Sequence, residues 1–165
     1  MKRMRTLAGI SILALVLAAC SSGTTDTAAE ETAAALDDSN CAAAENFCVG
    51  LVTDIGKVDD KSFNQSAHEG AMAAAAEVGG FYKYIETTDT KDYAANMGQF
   101  TDKGYDVIVT VGFLMAEASA IAAKANPNTK FIGVDQFQGE EVANVTGLIF
   151  PEDQAGYGAG YLAGL

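Results

Sequence analysis

The chain of 165 residues carries a formal net charge of -12, with 22 acidic residues against ten Lys and Arg, and it is long enough for one core only. That balance argues against nucleic acid as a partner, because a nucleic-acid surface must be basic to release phosphate counterions. Anionic ligands are disfavoured as well: both arginines, Arg3 and Arg5, lie at the extreme N-terminus, and no guanidinium fork remains elsewhere to clamp phosphate or carboxylate. An acidic surface also serves solubility, so the charge by itself selects no ligand.

Residues 1–20 read MKRMRTLAGISILALVLAAC, three basic residues followed by an apolar run from Leu7 to Ala19 that is too short to cross a bilayer comfortably. This is the pattern of a signal peptide over 1–19. The stretch Leu17-Ala18-Ala19-Cys20 resembles the lipobox of bacterial lipoproteins, which implies cleavage before Cys20 and acylation of that cysteine. Cleavage would remove Lys2, Arg3 and Arg5 and take the net charge from -12 to -15. Residues 20–45 are rich in Ser, Thr, Ala, Asp and Glu and poor in large apolar side chains, so they are expected to form a flexible tether between the lipid and a folded lobe over 46–165.

With Cys20 assigned to lipid, Cys41 and Cys48 remain, and export places them where thiols oxidise. A Cys41–Cys48 disulfide is expected, pinning the end of the tether to the first strand. Two free thiols, or a metal pair for which no further ligand is nearby, are the other readings.

From Phe47 onward, β-branched runs alternate with helical stretches. Strands are expected over 47–53, 81–87, 106–111, 130–134 and 144–149, and helices over 62–78, 91–103, 115–125 and from Pro151. Ser62 and Gln65 fit a capping box at the first helix, with Asp59 and Asp60 as cap and turn residues before it, and Gly79-Gly80 ends that helix. The succession implies a doubly wound α/β fold with a mostly parallel sheet and right-handed crossovers. Ligands of such sheets sit beyond the carboxyl ends of the strands, where Asp54, Gly112, Phe113 and Asp135 fall. In the last helix Gly156, Gly160 and Gly164 recur at four-residue spacing and make one smooth face. The chain stops at Leu165 inside this helix, and the expectation is an N-terminal fragment, one lobe of a two-lobed protein.

The string VTDIGKVDDKSFNQ (52–65), followed by FIGVDQ (131–136) and NVTGLIFPEDQAGY (144–157), resembles the basic membrane protein family, substrate-binding lipoproteins of nucleoside ABC importers. The similarity runs over 47–165. It implies a type I periplasmic-binding-protein-like fold, of which this is the first lobe, and a purine nucleoside held between lobes by aromatic stacking on the base and carboxylates on the ribose. Phe63 and Asn64 match base-contacting positions, and Asp135 is a polar contact. An uncharged nucleoside agrees with a mature chain that lacks arginine, as would a sugar.

The expected function is therefore solute capture on the outer side of the cell membrane, with a small-molecule ligand, an ABC permease and a lipid-anchored membrane as partners, no cofactor, no metal and no catalytic residue. A nucleoside-processing enzyme on the same scaffold, or a lipoprotein sugar or signal receptor or adhesin, are the alternatives. The enzyme would need a metal cluster, a nucleophile with its base, or a phosphate loop, and the sequence offers none of these. His68, the lone histidine, is read as a mid-helix surface or packing residue without a partner.

Overall fold

A computed structural model describes residues 37–165. Cys20, the signal segment and the first part of the expected tether lie outside the described residues.

Five strands form one sheet in the order β2-β1-β3-β4-β5, and every neighbouring pair is parallel. They are β1 (Cys48–Ile55), β2 (Phe81–Thr87), β3 (Val107–Val111), β4 (Lys130–Val134) and β5 (Val145–Leu148). Among the described residues four α-helices accompany them: α1 (Phe63–Glu77), α2 (Tyr93–Thr101), α3 (Ala116–Ala125) and α4 (Glu152–Ala163). β1 and β3 lie inside the sheet and are buried almost throughout, as a parallel sheet covered on both faces requires. Alternation along these strands divides the core. Val49, Leu51, Val109 and Val111 pack with Ala71 and Ala75 of α1. Val52, Ile108 and Phe131 turn to the opposite face, where Tyr93, Met97 and Phe100 of α2 and Ala123 of α3 cover them. Gly50 belongs to that second face, and the Phe100 ring fills the space where a side chain would stand, with ring atoms 2.7–2.9 Å from an added Cβ.

The start of α1 differs from the expected capping box. Ser62 makes no side-chain cap, and Gln65 Oε1 accepts from the Lys61 N–H instead. Asp60 does the capping: its carboxylate accepts from the backbone N–H groups of Ser62, Asn64 and Gln65. Burial opposes its charge, but those donors outweigh burial and hold the Asp60 carboxyl below the usual carboxylate range. The left-handed backbone at Lys61 (φ 56°) turns the chain so that the carboxylate, one residue earlier, reaches all three. α1 ends at Glu77 with Val78 as its cap, and Gly79, with a φ of 66°, then lets the chain reverse into β2.

Residues 37–45, expected to belong to the tether, are folded against the lobe. Cys41 is bonded to Cys48 and sits in the core at 2% exposure. Asp38 accepts from Lys83 and Lys103 at 2.5 and 2.7 Å, and Asn46 donates to the Asn40 carbonyl. These contacts gather at the amino ends of the strands, where the Asp106 carboxylate also takes the N–H of Cys48. Residues 37–45 thus depart from the expectation of a flexible tether over 20–45, because a disulfide and two ion pairs draw them onto the sheet.

α4 stands apart. All its residues are exposed, and at Gly156 and Gly160 nothing lies within 4 Å of an added Cβ. No other backbone meets the glycine face among the described residues. No described helix is long and apolar enough to cross a membrane.

Candidate ligand-binding site

The carboxyl ends of β1, β3 and β4 form one pole of the sheet, and the strand-end residues fall there. Asp54 lies near the end of β1 with a half-buried side chain. Its Oδ1 accepts the Ile55 N–H at 2.7 Å and the Tyr93 hydroxyl at 2.5 Å. Its Oδ2 leans over Gly112, where an added Cβ would lie 2.2 Å from it. Gly112, with φ of 93°, is thus required twice, by its backbone conformation and by the carboxylate that occupies its side-chain space. The turn after β3 is fastened from the other side by Gln136, fully buried, whose amide donates to the carbonyls of Thr110 and Gly112.

Asn64 does not face the cleft. It is 3% exposed, and its Oδ1 accepts the backbone N–H of Asp54 at 3.0 Å. Its side chain ties the first turn of α1 to the end of β1. Phe63, the preceding residue, points outward and meets Phe150 edge to face, with centroids 5.5 Å apart and planes at 71°. The two rings border a groove of about 450 Å³ floored by Val134 and Leu148 and edged by Ser62 and Ser66. A second apolar groove of about 490 Å³ shares Ala67, Val134 and Leu148 with it and runs between α1 and strands β3 to β5.

Phe113 stands 66% exposed just beyond Gly112. Asp135 follows β4 in a left-handed conformation (φ 58°); burial first, then the charge and hydrogen bond of Glu152 at the start of α4, push its carboxyl above the ordinary value. The structure thus brings Asp54, Asn64 and Gly112 together, the first two by a hydrogen bond and the third by close approach, places Phe63 at the groove beside them, and sets Phe113 and Asp135 on separate turns of the same pole.

Two residues of this pole escaped the sequence reading. Tyr93 shares the spacing of Met97 and Phe100 and reads as one more apolar residue of α2, and its hydroxyl partner 39 residues away leaves no local trace. Phe150 falls between the strand expected over 144–149 and the helix expected from Pro151, and nothing in the sequence assigns it a role there. His68, expected to lack a partner, has two: its Nδ1 lies 2.8 Å from the Tyr82 hydroxyl, and its ring meets Tyr84 edge on. Both are on β2, far in sequence, and the trio packs away from the strand ends. Among the described residues no three His, Cys, Asp or Glu side chains could hold a metal ion.

A parallel sheet with its polar and aromatic residues at the carboxyl pole is common to many functions, and comparison with known proteins decides between them. The family model described as ABC transporter substrate-binding protein PnrA-like matches residues 47–165. The chain belongs to this family. The PnrA-like family is one of solute-binding proteins of ABC transporters and not of enzymes. Among its relatives, the ABC transporter nucleoside-binding protein BmpA of Lactococcus lactis subsp. cremoris is 35% identical over 68% of this chain and 33% of its own. A lipoprotein of Pyrococcus abyssi is 29% identical over 92% of this chain and 35% of its own. A solved solute-binding protein of an ABC transporter system from Aeropyrum pernix K1 superposes with a TM-score of 0.59 at 31% identity, over 64% of this chain and 29% of that one. The chain thus spans about a third of the length of these PnrA-like relatives.

Proposed function

We propose that this lobe is half of a clamp that captures a purine nucleoside outside the cytoplasmic membrane and hands it to an ABC permease, with the protein held to the membrane through an acylated Cys20. One observation carries the reading: an outward aromatic face at Phe63 and a fixed carboxylate at Asp54 are joined through Asn64 at the carboxyl pole, in a chain whose mature part has no arginine. A purine ring stacks on an aromatic face, and hydroxyl or ring N–H groups donate to a carboxylate, whereas a phosphate would meet neither a guanidinium nor a basic pocket. The L. lactis relative, named for nucleoside binding, supports the same ligand class, and the lipoprotein name of the P. abyssi relative supports the anchor. Asn64 acts here by holding the Asp54 backbone, while Gly112, Phe113 and Asp135 shape the cleft wall. Residues 1–19 are then the signal peptide and the lobe proper begins with the Cys41–Cys48 link.

The test is a thermal-shift panel on the full-length protein with guanosine, inosine, adenosine, free bases, sugars and amino acids. Nucleosides should raise the melting temperature; a shift with sugars or amino acids alone would sink the proposal. Phe63→Ala should weaken nucleoside binding by about 1–3 kcal/mol, the range for loss of one base–aromatic stack. An unchanged affinity removes Phe63 from the site.

A further inference from the structure

We infer that Tyr93 is a positioning residue for the binding carboxylate: its hydroxyl pins Asp54 so that Oδ1 is committed to the protein and Oδ2 alone is presented to the solute. The inference rests on the reading of Asp54 as a ligand contact. A free aspartate rotates about its last bond and offers either oxygen, so a carboxylate that must meet one donor in one direction loses that freedom on binding. Here the freedom is already gone. Tyr93 is 3% exposed, its ring is fixed in the core between α2 and the sheet, and its hydroxyl donates to Oδ1 at 2.5 Å beside the Ile55 N–H at 2.7 Å. Among the described residues none donates to Oδ2, which lies over the bare α-carbon of Gly112, on the side of the β3 turn. Burial, together with the Asp54 hydrogen bond and charge, pushes the Tyr93 hydroxyl above its ordinary titration range, so it remains a donor.

The register of Tyr93 is set by elements that do nothing else at the site. Asp89 caps the short 3-10 turn of Thr90–Asp92 by accepting the Lys91 N–H, and Asn96, on the next part of α2, donates to Thr87 at the end of β2. Thr87 in turn donates its N–H to the Thr53 hydroxyl, next to Asp54. The start of α2 is therefore bolted to the ends of β1 and β2, and the tyrosine hydroxyl is delivered to one place.

A double-mutant cycle in the full-length protein tests this, with affinity for guanosine measured by calorimetry for wild type, Tyr93→Phe, Asp54→Asn and the double variant. Tyr93→Phe keeps the ring and removes one hydrogen bond to a charged group. It is expected to weaken binding about tenfold or more in the wild-type background, the effect of losing a charge-assisted bond, and less than twofold when Asp54 is already Asn. An unchanged affinity in the wild-type background overturns the inference, and so does an equal loss in both backgrounds, which marks a fold effect. If wild type ignores guanosine and binds another solute of the panel, the nucleoside reading fails and the cycle is run with that solute. A measurement without ligand guards against a silent panel: the side-chain carboxyl carbon resonance of Asp54 must move in Tyr93→Phe and stay in place in Tyr82→Phe, and a resonance unmoved in Tyr93→Phe also overturns the inference.

Discussion

Gly112 shows how much of the site depends on one missing side chain. Two conditions meet at this position, a φ of 93° and an Asp54 Oδ2 only 2.2 Å from an added Cβ, and either alone would favour glycine. Gly112→Ala must therefore strain the backbone and displace the carboxylate together. The expected cost is about 1–3 kcal/mol of stability, read from chemical denaturation, with a loss of solute affinity larger than that of any surface control. Were Gly112→Ala to fold with unchanged stability, the close approach of Asp54 would be refuted. Asp135 is held under a related constraint, a non-glycine residue at φ 58° whose carboxyl faces that of Glu152. A left-handed aspartate with a like-charged neighbour is an unfavourable local choice, and such choices gather where a loop serves binding.

The joint between the N-terminal segment and the sheet works through three elements at once. Asp38 bridges Lys83 of β2 and Lys103 beyond α2, and the Cys41–Cys48 link fixes the same segment to β1. In the chain-entropy view, closing a loop at a sequence separation of 7 is worth about 2–3 kcal/mol. The hydrogen bonds of Lys103 and then Lys83 lower the Asp38 carboxyl from 3.8 to about 2. A carboxyl depressed on folding contributes stability that is present above its unfolded value and is lost as pH falls through its folded value. The stability difference between wild type and Asp38→Asn should therefore be constant above pH 3.8 and shrink as pH approaches about 2. Denaturation midpoints across that window read it directly, and a difference that stays flat would mean that Asp38 is unpaired in solution.

Legibility in the sequence followed the same division between local and distant causes. β2 and β4 fall on 81–87 and 130–134 as their apolar runs require, and Asp54, Gly112 and Asp135 occupy strand ends because parallel sheets place functional loops there. Asp60 was legible as a cap, one of the acidic pair before α1, whereas the capping box expected of Ser62 and Gln65 did not form, because the left-handed Lys61 brings the Asp60 carboxylate to the same N–H groups. The Tyr93 hydroxyl, the Phe150 ring, the burial of Asn64 and the His68–Tyr82 pair were not legible, because each depends on a residue brought near by the fold.

Over the folded lobe as a unit, order is unevenly supported. β1 and β3 are paired on both sides and buried on both faces, and α1, α2 and α3 each bury residues against them. The carboxyl pole is another matter: Phe113 and Phe137 are 66% and 76% exposed, and the apolar groove beside α1 lies open along β4 and β5. α4 has no buried residue at all. A helix of this length without a packed face is marginal in water, since its nucleation cost is met in proteins mainly by tertiary burial. Amide hydrogen exchange on this 165-residue chain should consequently separate two classes. Amides of β1 and β3 should exchange only through global unfolding, whereas those of Tyr157 to Ala163 should exchange by local opening, orders of magnitude faster and insensitive to Gly112→Ala. Protection of α4 equal to that of α1 would show a packing partner for its exposed Tyr157, Tyr161 and Leu162, and the uneven distribution of stability inferred from burial would be wrong.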